Sequence, residues 1–148
     1  MHKGDFMNYK ITNLNLEGKI FVDKKGTLIQ CLTRSELKNN GSYIAFGTIY
    51  GGSIIKGQIR GGHFHEFKEE YFILLRGTVK FYLEDVNTKE KKKGDLSMGY
   101  RLRIGENVAH AMTNVKDDPA IFFSVATKPY EEGPDTHKYD MVLEDKVL

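Results

Sequence analysis

Apolar and polar residues alternate with period two along much of the chain. Val79, Phe81 and Leu83 alternate with Lys80, Tyr82 and Glu84. Leu102 and Ile104 alternate with Arg101 and Arg103. Successive strand side chains point to opposite faces, so both segments predict half-buried strands. Runs rich in β-branched and aromatic residues predict further strands: Tyr43 to Tyr50, Ser53 to Ile59, Tyr71 to Leu75 and Ile121 to Val125. Between them lie turn signals: Gly51-Gly52, Gly61-Gly62, Gly77, Asp85-Val86-Asn87, Gly94-Asp95 and Gly105-Glu106-Asn107. Helix signals are sparse. Ser35 to Asn39 predicts one capped turn, and Met141 to Leu148 a last short strand or helix. Many short strands with 15 glycines argue for an all-β sandwich or small barrel.

Composition narrows the class. At 148 residues the chain predicts a single domain over 1–148, with enough surface buried for a core of its own. Lys+Arg number 22 against 20 Asp+Glu, and this balance gives no electrostatic case for nucleic acid or membrane partners. The Lys89 to Lys93 run reads as a solvated hairpin tip or edge. The one cysteine, Cys31, excludes an intramolecular disulfide framework and a multi-thiolate zinc site, and reads as a packed core thiol. The first residues lead into no apolar stretch of signal-peptide length, and no run reaches transmembrane length, so the cytoplasm is the expected compartment.

The candidate chemistry lies in the histidines. His63-Phe64-His65 puts two imidazoles on one face of a strand. Glu70 opens the next apolar run, and His110 lies on a later strand-like segment. Three imidazoles and a carboxylate suit zinc, iron, manganese or nickel, with no organic cofactor implied. The plain alternative is a pair of partly exposed strand histidines with no ligand. His137, in a polar setting, reads as solvated surface. Arg101 and Arg103 share one strand face, which either meets solvent or lines a barrel mouth.

The string Gly57-x5-His63-x-His65-x4-Glu70-x6-Gly77, followed by His110-x3-Asn114, resembles the two sequence motifs of the cupin superfamily. The first motif matches at every specified position. The second is degraded: Gly105 and Asn107 stand where a proline and a glycine are usual. Asn tolerates positive φ, so the turn before His110 can survive. Arg60-Gly61-Gly62-His63-Phe64-His65 is similar to strings of RmlC-like nucleotide-sugar 3,4-ketoisomerases and of the cupin half of capsular polysaccharide reductase/epimerases. The 3,5-epimerases share its first part. Asp23 to Leu28, Ala126 to Glu132 and Tyr139-Asp140 are similar to further segments of these families.

The resemblance implies an all-β double-stranded β-helix, a cupin jelly-roll barrel, and a homodimer in which a strand such as Ile11 to Leu16 pairs with the partner. It implies an isomerase or epimerase. The substrate would be a nucleotide-linked 4-keto-6-deoxy sugar, with dTDP as nucleotide, used in cell-surface polysaccharide synthesis. By position, His63, His65 and Tyr130 are the candidate catalytic residues. Arg60, Lys25 and Arg103 are the candidate substrate-binding residues. Two versions of the site stand. In one, His63 and His65 are free acid/base groups oriented by Glu70 and His110. In the other, His63, His65, Glu70 and His110 hold a divalent metal, and Tyr130 or Glu69 moves protons. A metal cupin of another class, such as a dioxygenase, and a non-enzymatic sugar-binding cupin are the alternative functions.

Overall fold

The computed structural model describes residues 6–39, 42–43, 46–128, 135–143 and 146–147. The chain runs through β1 (Tyr9–Asn13), a hairpin of β2 (Ile20–Asp23) and β3 (Gly26–Ile29), a 3-10 turn at Arg34–Glu36, and the short pair β4 (Lys38–Asn39) and β5 (Ser42–Tyr43). Then come β6 (Thr48–Ile54), β7 (Ile59–Phe64), β8 (Glu70–Arg76), β9 (Thr78–Asp85), β10 (Lys91–Ser97), β11 (Tyr100–Ile104), β12 (Val108–Thr113) and β13 (Ala120–Ala126). Three two-residue strands follow: β14 (His137–Lys138), β15 (Val142–Leu143) and β16 (Lys146–Val147).

Two five-stranded antiparallel sheets face each other, in the orders β1-β11-β8-β13-β6 and β10-β9-β12-β7-β14. This is the predicted jelly roll. Between the sheets lie Phe72, Leu74, Phe81, Leu83, Leu96, Leu102 and Ile104, so the alternating residues of β9 and β11 do point inward. Both sheets are also covered outside. Leu14, Ile20, Ile29 and Leu37 pack on Tyr71, Ile73 and Val125 of the first sheet. Met141, Leu143 and Tyr139 pack on Tyr82, Ala109 and Ala111 of the second. Strands covered on both faces lose strict alternation, as the near-continuous burial of β8 and β12 shows. Among the described residues no helix is long and apolar enough to cross a membrane.

Several expectations need correction. Ser53 to Ile59 is broken by a turn in which Gln58 N–H donates to Ile55 O, with Gly57 at φ 79°. Gly51-Gly52, Gly61-Gly62 and Gly94 lie inside strands, not turns. At Gly52 and Gly94 the missing side chain makes room for the rings of Phe122 and Phe81. The capped turn starts at Thr33, two residues before Ser35, because Thr33 and Glu36 form a capping box. The N-terminal strand is Tyr9–Asn13, and it pairs antiparallel with β11 of its own chain. Of the strand or helix read over Met141 to Leu148, the described residues form strands, β15 paired antiparallel with β16. Lys91, Lys92 and Lys93 do lie exposed on the edge strand β10.

Glu36 ties the N-terminal cover to the barrel. Its carboxylate accepts from Thr33 N at 2.9 Å and Lys19 Nζ at 2.8 Å, and it pairs closely with buried Arg101. Arg101 also donates to Cys31 O at 3.0 Å. Burial alone would raise the Glu36 pKa, but bonds from Lys19, Arg101 and Thr33 outweigh it and hold the group at about 2. The unfolded chain therefore takes up this proton first. The stabilisation is complete above the ordinary value of 4.5 and is lost as pH falls toward 2. Urea titrations from pH 7 to pH 2 should show Glu36→Gln about 1–3 kcal/mol less stable at neutral pH, with a lower unfolding midpoint. The wild-type midpoint should converge on it toward pH 2, and parallel profiles would refute the assignment.

Candidate metal centre

β7, β8 and β12 bring the motif residues together. His63 lies on β7, and His65 follows its end. Glu70 opens β8, and His110 lies on β12 directly across from His63. One ligand atom from each of the four lies within 4.8 Å of all the others. The ring centroids of His63 stand 5.0 Å from His65 and 4.7 Å from His110.

Local backbone features make this approach possible. The β7–β12 ladder shifts register between His110 and Ala111, opposite Gly61. Gly61 has φ 104°, and a Cβ there would sit 2.4 Å from His110 O, so only glycine lets the strands come this close. Asn107 adopts φ 60°, so it keeps the left-handed turn that the degraded motif needs. Its N–H donates to His65 O at 2.7 Å, joining the turn before His110 to the end of β7. Asn114, buried, donates to Ile54 O and Asp118 O at 2.8 and 2.9 Å and pins the end of β12.

The hydrogen bonds fix two tautomers. His65 Nδ1 lies 2.6 Å from Asp135 O, and His110 Nδ1 lies 3.1 Å from Val108 O. A carbonyl only accepts, so each Nδ1 carries the hydrogen. In the neutral ring Nε2 then presents a lone pair. His65 Nε2 is 2.9 Å from Glu70 Oε1, and His110 Nε2 is 3.6 Å from Glu70 Oε2. His65 Nε2 is nevertheless buried without an aligned hydrogen-bond partner. Acceptors facing one another at this range repel unless a proton or a metal cation lies between them.

The electrostatics favour neutral His63 and His110 beside an ionised Glu70. Burial, then the neighbouring His110 and His65, lower the His63 pKa to about 4. Burial also lowers that of His110, against the pull of Glu70. Burial works to raise Glu70, but the close approach of His65, then of His110 and His63, outweighs it and holds the group at about 2. Neutral imidazoles around an ionised carboxylate are the form in which these groups bind a divalent cation. The donor set fits such a metal.

The four donors line a cavity of about 350 Å³, walled by Phe72, Phe122 and Met112 and also bordered by Arg60 and Lys68. Arg60, exposed, donates from Nε to Ser53 O at 2.8 Å. Other expected site residues lie elsewhere. Glu69 and Arg103 pair at 3.4 Å in a separate polar cavity on the outer face of the first sheet. Strand alternation turns Glu69 away from Glu70. Arg101 is neither solvated nor at the barrel mouth but sits in that outer cavity, paired with Glu36. Lys25 is exposed at the tip of the β2–β3 hairpin, where its N–H donates to Asp23 Oδ1 at 2.7 Å. Tyr130 lies outside the described residues. His137 is only partly solvated: it stacks on Phe64 at 5.0 Å between centroids. Cys31 is half-buried and packs on the outer cluster. The sequence reading missed Asp135, whose carboxylate accepts from the N–H groups of Glu66 and Phe67 at 2.8 and 2.9 Å. A single Asp in a polar loop carries no signal of such a role.

Known proteins share this arrangement of strands. A TDP-quinovose 3,4-ketoisomerase from Campylobacter jejuni is 23% identical, with a TM-score of 0.71 over 90% of this chain and 94% of its own. A dTDP-4-dehydrorhamnose 3,5-epimerase from Bacillus anthracis is 16% identical, with a TM-score of 0.72 over 98% and 83%. The capsular polysaccharide assembling protein CapF of Staphylococcus aureus is 20% identical, with a TM-score of 0.61 over 66% and 27%. In sequence, the chain is 28% identical over 119 residues to a UDP-2-acetamido-2,6-beta-L-arabino-hexul-4-ose reductase of Pseudomonas aeruginosa. That match covers 78% of the chain but 29% of the reductase. The model of the polysaccharide biosynthesis C-terminal domain matches residues 21–137, and the chain belongs to that family.

Proposed function

We infer that the chain is an isomerase or epimerase of a nucleotide-linked 4-keto-6-deoxy sugar, acting by proton removal beside the ketone. The observation that carries this reading is the convergence of His63, His65, Glu70 and His110 in one cavity that opens beside Arg60. Likeness to sugar-nucleotide ketoisomerases and epimerases supports it.

In this reading His63, His65, Glu70 and His110 hold a divalent cation. When bound, the cation stabilises negative charge on a ketone or enediolate oxygen. The protein groups do the rest. Val108 O and Asp135 O keep the Nδ1 atoms of His110 and His65 protonated, so their Nε2 atoms face inward. Phe72, Phe122 and Met112 exclude water around the reacting carbons. Arg60 takes the diphosphate at the mouth, a contact suited to a guanidinium. With Glu69 turned outward, Tyr130 is the proton carrier that this reading assigns, on its match to the tyrosine of the epimerases.

Proton NMR of such sugars with the full, metal-loaded chain in deuterated water should show deuterium entering at ring carbon three or five. A migrating keto group would mark an isomerase. No exchange with any nucleotide sugar would refute the reading. Tyr130→Phe should retain the metal and slow exchange about 10²–10⁴-fold, whereas His63→Ala should lose both the metal and exchange on an intact fold. Full exchange in His63→Ala would remove this site from the account. A third expectation concerns Asp135. Nitrogen-15 NMR of the wild type should show His65 protonated at Nδ1 in a slowly exchanging hydrogen bond, and Asp135→Ala should release that proton to fast exchange. An unchanged His65 signal would mean that the Asp135 carboxylate does not hold the loop.

A further inference from the structure

Lys68 lies between the end of β7 and the start of β8 and lines the histidine cavity. Only 6% of its surface is exposed. Lysines are almost never this buried unless paired. The stem is what is buried: among the described residues the one buried side-chain nitrogen left without a partner is His65 Nε2, not the Lys68 ammonium. The metal ligands do not use it, and nothing in the packing of the barrel requires a cation there.

The charges around the cavity show what is missing. Two cationic side chains line it, Arg60 and Lys68, and one carboxylate, Glu70. That carboxylate already faces His65 and His110. A divalent cation on the four donors would increase the positive excess. A lysine whose stem is buried and whose head borders a cavity with excess positive charge suits an anionic ligand. Arg60 is exposed at the mouth while Lys68 is buried, so the two cations offer contacts at different depths.

We propose that Lys68 is an anion subsite of this cavity that receives an anionic oxygen of the substrate. This rests on the nucleotide-sugar reading and adds a binding residue to it. The oxygen has two sources: the diphosphate of the nucleotide, or the sugar oxygen that gains charge when the neighbouring proton leaves.

Lys68→Met, which keeps the length of the stem and removes the charge, separates them. Titration calorimetry with thymidine diphosphate and deuterium exchange into the nucleotide sugar are measured on the metal-loaded chain. A diphosphate contact predicts at least tenfold weaker binding of thymidine diphosphate. A contact to the developing oxyanion predicts unchanged binding and exchange about 10²–10³-fold slower at saturating sugar. In either case the variant should keep the fold, because the methionine fills the space of the buried lysine stem. Lys68→Arg, which restores a charge, should recover part of the lost function, and it serves as the probe if Lys68→Met does not fold. Binding and exchange within twofold of wild type would overturn the proposal and leave the nucleotide-sugar reading standing. A wild-type chain that neither binds thymidine diphosphate nor exchanges would overturn both.

Discussion

Two imidazole lone pairs turned onto one half-buried carboxylate set the terms for the rest of this structure. His65 and His110 each spend their Nδ1 hydrogen on a backbone carbonyl and aim Nε2 at Glu70. Acceptors held this close inside a barrel repel unless a positive charge lies among them. The fold holds them so because both sheets are packed on two faces, which leaves the strands little freedom to relax. In the proposed reading the arrangement holds a metal instead of storing a free base: the lowered pKa values of His63 and His110 suit ligands.

The supporting features are small and local. Gly61 lets β7 and β12 approach through the bulge beside His110. Asn107 takes the left-handed turn and bonds back to His65 O. Asp135 brings a segment some seventy residues downstream onto the same loop, through its carboxylate on Glu66 and Phe67 and its carbonyl on His65. Three distant stretches of chain thus converge on His65 and His110, while Glu36 and Arg101 fasten the N-terminal cover on the opposite face of the first sheet.

The strands were legible where one face is apolar and the other polar, as at β9 and β11. They were less legible where glycine serves packing instead of turning. Gly51, Gly52 and Gly94 read as turn signals, but at Gly52 and Gly94 the position makes room for a phenylalanine ring of the opposing strand, which no local pattern reveals. The four donors were legible because strand spacing and motif spacing agree, and Asn107 was legible because its backbone tolerance is a property of the residue type. Glu69 was open to either role, since adjacent strand residues face opposite ways and only the sheet's position decides which faces inward. Asp135 and Lys68 were not legible. Their significance lies in a carbonyl contact and in a place on the cavity wall, and neither is written in residue type or spacing.

The most direct test of the central claim is X-ray absorption at the zinc edge, on the full chain loaded with zinc and dialysed. The account predicts one zinc per chain with three imidazole nitrogens and one carboxylate oxygen, lost in Glu70→Ala. Zinc that washes out of the wild type as readily as from that variant, or that carries only water oxygens, would contradict it. His63 and His65 would then be free acid/base groups, with Glu70 and His110 holding them in place.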